Sequence, residues 1–416
     1  MEQTVFISRG SGETRVALQE DGRVVGLYVE PDDHLCLVGN IYKGRVERVL
    51  AGMDAAFVDI GLERNGFLPV DEVIPPGEPR KGDRKISSLL KGGKEVLVQV
   101  TRDAMGGKGP RLTTHLHLVG RYMVFSPLTS TPGASRRLDD AERVRLRGLC
   151  GELGGGEAGL IARTAAEGAG EVTLSRELRF LRRLWARVEQ GAATTSAPAL
   201  VFGEHGLALR AVRDLFGPEF GKVVVDDAGL YRGLINYLRA IAPGVRDLVE
   251  LYQGGASLFE KHGLEEEFER ALGRRVELHS GGHIVIDHTE AMTVIDVNTG
   301  SYVRGRHLED TVLKTNIEAC GEIVRQLRLR DIGGIIVIDF IDMAVESNRE
   351  AVLATLKAES ERDRTKSYVV EISPLGLVEM TRHNTAPALR EMLTEPCPTC
   401  LGEGRVRAKH PAPPLE

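Results

Sequence analysis

Two short apolar runs, TVIDVN at 293–298 and IVIDF at 336–340, each carry an aspartate at the same offset and are separated by one long amphipathic stretch. No other pattern in the chain constrains the fold as tightly. The intervening EDTVLKTNIEACGEIVRQLRLRD has the spacing of a helix. Two buried strands joined by a single helix run parallel through a right-handed crossover. Residues 292–341 therefore predict a β–α–β unit. HIVIDH is expected to pair with AMTVIDV as a hairpin, and ESNREAVLATLKAESERDR and SYVVEIS follow as a helix and a strand.

Asp296 and Asp339 then stand at the carboxyl ends of adjacent strands, where ligands of open α/β sheets gather. Asn298 lies two residues after Asp296 and shares its face. Paired carboxylates at strand ends need a cation or strong partners, and this hard-oxygen set suits Mg²⁺. Mg²⁺ there could polarise a phosphodiester and activate water. The alternative is that each Asp caps a neighbouring helix or turn. Asp342 reads as a supporting group, and Asp287 belongs to the antiparallel partner strand.

Upstream, TRVALQEDGRVVGLYVE reads as a hairpin turning at Glu20–Arg23. Short strands in LCLVGNIYKGRVERVL, MDAAFVDIG, NGFLPV and EVLVQVTRD, separated by Gly turns, predict a small barrel with a basic loop near residues 74–95. DDAERVRLRGLC reads as a helix and GLIARTAAEG as a strand entering a turn. LSRELRFLRRLWARVE reads as an amphipathic helix with an apolar stripe of Leu174, Leu178, Leu181, Trp185 and Val188. Gly191–Pro198 reads as an exposed loop, and VRDLVELYQ and LEEEFERALG as helices.

A net charge of −6 excludes a bulk polycation that coats nucleic acid. Yet 42 of the 54 basic residues are Arg, the residue of bidentate phosphate recognition, although a GC-rich genome raises Arg and Gly (48 here) together. Five scattered Cys exclude a disulfide framework; Cys36, Cys150 and Cys320 sit in apolar segments and read as core. CPTC at 397–400 is one pair of thiolates, two short of a tetrahedral Zn²⁺ site. A redox pair and an intrachain site with His410 are its alternatives. No apolar run approaches the ~20 residues of a membrane span, and MEQTVFISRG lacks a signal-peptide core, so a cytoplasmic protein is expected.

TEAMTVIDVNTG, RQLRLRDIGGIIVIDFIDM and CPTCLGEG, in this order and spacing, resemble the bacterial ribonuclease E/G family. NIYKGRVERVLAGMDAAFVDIGLERNGFLPVDEV resembles its embedded OB-fold RNA-binding domain. LTTHLHLVGRYMV, SRR and GLIARTA resemble its sensor for an RNA 5′-monophosphate. The resemblance covers nearly the whole chain and implies an α/β multidomain fold. Its parts are an RNase H-like subdomain (1–34 plus 209–271), the OB-fold β-barrel (35–114), the 5′-phosphate sensor (115–208), a DNase I-like α/β catalytic subdomain (272–393), and a zinc-link and tail (394–416).

The resemblance further implies an Mg²⁺-dependent endoribonuclease that cuts single-stranded RNA to 5′-phosphate and 3′-hydroxyl ends. It would be stimulated by a substrate 5′-monophosphate and act in rRNA processing or mRNA decay. The family's metal-binding aspartates fall on Asp296 and Asp339, with its supporting Asn on Asn298. Its 5′-phosphate pocket falls on Gly120, Val124, Arg163 and Thr164, where Arg grips phosphate and Thr donates a hydroxyl. The bland reading of Arg163 alone is a surface ion pair. Phe57 and Phe67 match RNA-contacting aromatics, against the alternative that they fill the barrel. Lys108 matches a basic RNA contact, Arg102 stands where the family has Lys, and Met105 stands where a basic residue is expected. Arg136 and Arg137 fit a basic sensor edge, or plain surface solvation. Cys397 and Cys400 match a pair that shares Zn²⁺ between two protomers. Family members continue past this pair into a small domain that helps assemble a tetramer. This chain ends 16 residues after Cys400, so a short form and a zinc-linked homodimer are expected.

The competing expectation is a non-catalytic RNA-binding or ribosome-assembly factor on the same scaffold, which need not keep Asp296, Asn298 and Asp339. A zinc hydrolase lacks its ligands, since no H-E-x-x-H is present.

Overall fold

The Asp21-Gly22 pair takes positive φ at both positions, 46° and 81°, and closes the hairpin between strands Glu13–Glu20 and Arg23–Pro31. A computed structural model describes residues 2–33, 36–74, 85–104, 108–215, 220–300, 308–373, 375–383 and 387–406. The chain divides into two compact units, Met1–Arg270 with His383–Ala386, and Ala271–Arg382 with Pro387–Glu416.

The first unit contains three sheets. In one, the hairpin and strand Gln3–Arg9 pair antiparallel, and Phe220–Val225 and Val249–Leu251 add in parallel. Helices Leu207–Leu215 and Ala228–Ile241 cover it, over a core that includes Ile7, Leu18, Val212, Val225 and Leu238. The VRDLVELYQ segment departs from expectation. A 3-10 turn at Pro243–Leu248 leads into strand Val249–Leu251, because Pro243 and Gly244 oppose a helix and the parallel edge was open to pairing.

The second sheet is a mixed barrel of Ile41–Leu50, Ala55–Asp59, Gly66–Pro69, Arg111–Thr113 and Glu95–Arg102. It is closed by pairing of the first strand with the last, with Ala199–Phe202 added antiparallel to Ile41–Leu50 as a sixth strand. Val46, Val58, Leu68, Val98 and Leu112 fill it. Gly66 is required by that closure: a Cβ there would sit 2.3 Å from Leu112 Cδ1. The third sheet orders Gly133–Ala134, Gly159–Ala162, Met123–Ser126 and Leu118–Val119, packed by helices Asp140–Gly154 and Glu171–Thr194. The longer helix runs through Thr194, so only residues 195–198 of the expected loop lie outside it. Its buried stripe includes Leu184, with Trp185 only partly buried, and also Glu177.

The second unit is built on one six-stranded sheet, ordered Arg275–Glu277, His283–His288, Met292–Asn298, Gly334–Asp339, Leu377–Arg382 and Ser367–Ile372. Met292–Asn298 and Gly334–Asp339 are parallel and joined by helix Leu308–Leu329, the crossover expected from sequence. Ile295, Val297, Ile336 and Ile338 pack with Ile323 and Leu327 of that helix and with Val352 and Leu356 of Glu346–Glu361. Buried Arg382 donates to Asp363 Oδ2 at 2.7 Å, Asp331 Oδ1 at 2.9 Å and the Ile332 carbonyl. Cys150 and Cys320 are buried, while the half-buried Cys36 thiol donates to Asp103 Oδ2 at 3.2 Å. No helix among the described residues is long and apolar enough to cross a membrane.

Candidate functional site

Strand alternation sends Thr293, Ile295 and Val297 toward the helices and leaves Met292, Val294, Asp296 and Asn298 on the opposite face. The neighbouring strand does the same, burying Ile336 and Ile338 while exposing Asp339. Asp296 and Asp339 are in-register partners, the last pair of the parallel ladder. Their backbones are thus one strand spacing apart, about 4.8 Å. Asn298 Nδ2 donates to Asp296 Oδ2 at 2.8 Å, which fixes that carboxylate. Burial, then the neighbouring charges of Asp296 and Asp342, push the Asp339 carboxyl above its usual range.

None of these three aspartates has a cationic partner among the described residues. Asp287 differs: Arg274 grips it with two bonds of 2.6 Å, a plain ion pair. Among the described residues no group of three or more His, Cys, Asp and Glu side chains is arranged to hold a metal. The donor set is two carboxylates and an amide. Such an open set fits Mg²⁺, which keeps several waters and binds through one or two carboxylates plus substrate phosphate. The burial and the neighbouring negative charges that raise Asp339 are what a divalent cation would offset.

Arg163, Thr164, Gly120 and Val124 come together on the four-stranded sheet. Val124 is half-buried between Val119 and Ile161 in register. Arg163 donates its backbone N–H to the Tyr122 carbonyl at 2.8 Å, Nη1 to the Gly120 carbonyl at 2.6 Å and Nη2 to Asp214 Oδ1 at 2.7 Å. The guanidinium is therefore held from two sides while remaining partly exposed. The exposed Thr164 hydroxyl lies 3.0 Å from that of Ser135, and Arg136 and Arg137 follow on the exposed rim.

In the barrel, Ala56, Val58 and Leu68 point inward and Phe57 and Phe67 outward, half-exposed. The two aromatics are cross-strand partners, with ring centroids 5.9 Å apart and edge to face. They do not fill the barrel. Arg102 and Lys108 are exposed, and Met105 lies outside the described residues.

Near the carboxyl end, Cys397 is exposed and Cys400 half-buried. The N–H of Leu401 donates to the Cys397 carbonyl at 2.7 Å and that of Glu403 to Cys400 at 2.9 Å, a tight knuckle with Leu401 at φ 52°. Backbone N–H groups of Cys400 and Thr399 lower the Cys397 thiol from its usual value. His410 lies outside the described residues.

A family model described as "Ribonuclease E/G family" matches residues 117–385. Ribonuclease G of Escherichia coli K12 is 42% identical over 415 residues, covering 98% of this chain and 85% of that protein. Ribonuclease G of Haemophilus influenzae is 42% identical over 407 residues, 95% of this chain and 82% of that protein. Ribonuclease E of Escherichia coli K12 is 38% identical over 414 residues, 98% of this chain but 39% of that longer protein. The chain belongs to the ribonuclease E/G family.

Three residues of this ribonuclease E/G chain were not singled out by sequence reasoning. Asn316 of the crossover helix is fully buried. Its Nδ2 donates to the Ile341 carbonyl at 2.9 Å and its Oδ1 accepts the Ile341 N–H at 3.2 Å. These two hydrogen bonds clamp the backbone just after Asp339. Asp214 receives Arg163 and also Arg213 Nη2 at 2.9 Å. Against burial, these two cations hold its carboxyl below the usual range. Glu177 is fully buried, and its carboxylate accepts the N–H groups of Arg121, Tyr122 and Met123 at 2.6, 2.9 and 2.9 Å. Its one sequence signal was position: 174, 177, 178 and 181 follow the i, i+3, i+4, i+7 spacing of a buried stripe.

Proposed function

We propose that this ribonuclease E/G member is an endoribonuclease that cleaves single-stranded RNA with Mg²⁺ at Asp296 and Asp339, leaving 5′-phosphate and 3′-hydroxyl ends. The observation that carries it is the in-register pair of carboxylates at the ends of two parallel strands, neither with a cationic partner among the described residues. When bound there, Mg²⁺ supplies Lewis-acid chemistry toward a phosphodiester and toward water. Asn298 fixes the rotamer of Asp296, and Asn316 fixes the chain that leaves Asp339. Phe57 and Phe67 stack bases, and Arg102 and Lys108 meet the backbone phosphates. Arg163 and Thr164, with Gly120 and Val124, receive the substrate's 5′-monophosphate and raise turnover, with Arg136 and Arg137 as a basic rim. A binding-only chain on this scaffold has no use for the clustered carboxylates.

The architecture we assign is an RNase H-like subdomain at 1–34 plus 209–271, the OB-fold barrel at 35–114, the sensor at 115–208 and a DNase I-like catalytic subdomain at 272–393. Residues 394–416 form the zinc-link, in which Cys397 and Cys400 share Zn²⁺ with the same pair of a second protomer. The protein acts in the cytoplasm on rRNA or mRNA. Cleavage of matched 5′-monophosphate and 5′-hydroxyl single-stranded RNAs, with and without Mg²⁺, tests the reading. We expect Mg²⁺-dependent products with 3′-hydroxyl ends and faster cutting of the monophosphate. Equal cutting after metal removal would contradict it.

A further inference from the structure

A carboxylate buried in a helix core is costly, and an apolar residue at Glu177 would pack without that cost. The three hydrogen bonds that compensate it all come from consecutive backbone N–H groups of one loop, Arg121 to Met123. Gly120, just before them, lies so close that a Cβ would stand 2.6 Å from the Glu177 carboxyl carbon. The Gly120 carbonyl accepts from Arg163 Nη1, and the Tyr122 carbonyl accepts the Arg163 backbone N–H. A continuous chain of short contacts therefore runs from a helix-borne carboxylate, through the loop, to the Arg163 guanidinium. Three successive N–H groups could themselves bind an anion. Glu177 occupies them from inside the protein, which leaves Arg163 and Thr164 as the groups turned to an external one.

We propose that Glu177 is a positioning residue for the 5′-phosphate pocket: by seizing the Arg121–Met123 backbone it fixes the Gly120 carbonyl against Arg163 and aims that guanidinium at the phosphate. The inference rests on the sensor reading given under Proposed function. The same anchoring explains why residue 120 must be glycine, since any side chain would displace the carboxylate. It also divides the work at Arg163, with Gly120 and Asp214 setting the direction of the guanidinium and the donors that have no other partner among the described residues left for ligand.

The test is the binding of non-cleavable 2′-O-methyl oligonucleotides bearing a 5′-monophosphate or a 5′-hydroxyl, read by fluorescence anisotropy on the full chain. The wild-type chain should prefer the monophosphate roughly tenfold or more, the worth of one charge-assisted contact. Glu177→Gln keeps the volume but turns an acceptor into a donor facing N–H groups. Its preference ratio should fall to near one, while near-UV circular dichroism shows a folded chain. A folded Glu177→Gln chain that keeps the wild-type ratio overturns the proposal. Should that chain fail to fold, Gly120→Ala reads the same contact from the other side, and an unchanged ratio there is equally contrary. A wild-type ratio of one would instead refute the sensor reading, and this inference with it.

Discussion

Glu177 shows how a single side chain sets the chemistry of its surroundings. Burial pushes its carboxyl up to about 7, against the three backbone donors and Arg163, which pull it down. The stability it contributes is present below the ordinary carboxyl value near 4.3 and is lost as pH rises through about 7. The stability of the wild-type chain relative to Glu177→Gln is expected to fall by about 3 kcal/mol between pH 5 and 8. Calorimetry of both chains across that range measures it, and identical pH courses would contradict the assignment. Asp296, Asp339 and Asn298 could be read in the sequence, because strand period and matched offset place them without knowledge of packing. Glu177 and Asp214 could not be read there. Glu177's partners are backbone N–H groups, Asp214 receives Arg163 from far away in sequence as well as its neighbour Arg213, and a charged residue on a helix is ordinarily solvated.

At the scale of elements, alternation separates inside from outside in the barrel, and the outward pair Phe57 and Phe67 is free to stack on bases. Phe57→Ala and Phe67→Ala are each expected to weaken binding of a single-stranded oligonucleotide by about 1–3 kcal/mol, with little loss of folding stability, because neither ring is in the core. Titration and thermal melting of both variants check this; a large fall in melting temperature with unchanged affinity would make them structural. Gly66→Ala should act in the opposite way, costing about 1–3 kcal/mol of stability through its clash with Leu112. The crossover unit was legible because its two periods, 2 and 3.6, are cleanly separated in the sequence. The Val249–Leu251 strand was not, since its apolar residues also fit a helix and only pairing with Phe220–Val225 decided between them.

At the scale of the whole molecule, a net charge of −6 is compatible with an RNA-cutting enzyme, since a few basic groups gathered in one place suffice to grip phosphate. Arg163, Arg136 and Arg137 gather at one sheet, and the carboxylates at another. The single Cys pair makes assembly measurable. Zinc near half an equivalent per chain, with the mass of two protomers, is the expected result, and chelation should return the mass of one. One zinc per chain in a monomer would refute the shared link.

The acid pair remains the centre of the account. Asp296→Asn and Asp339→Asn, each assayed in Mg²⁺ on a 5′-monophosphorylated single-stranded RNA, should cut at least about a hundredfold more slowly than wild type while still binding the RNA. If both variants cut as fast as the wild-type chain, the two aspartates do not carry the chemistry.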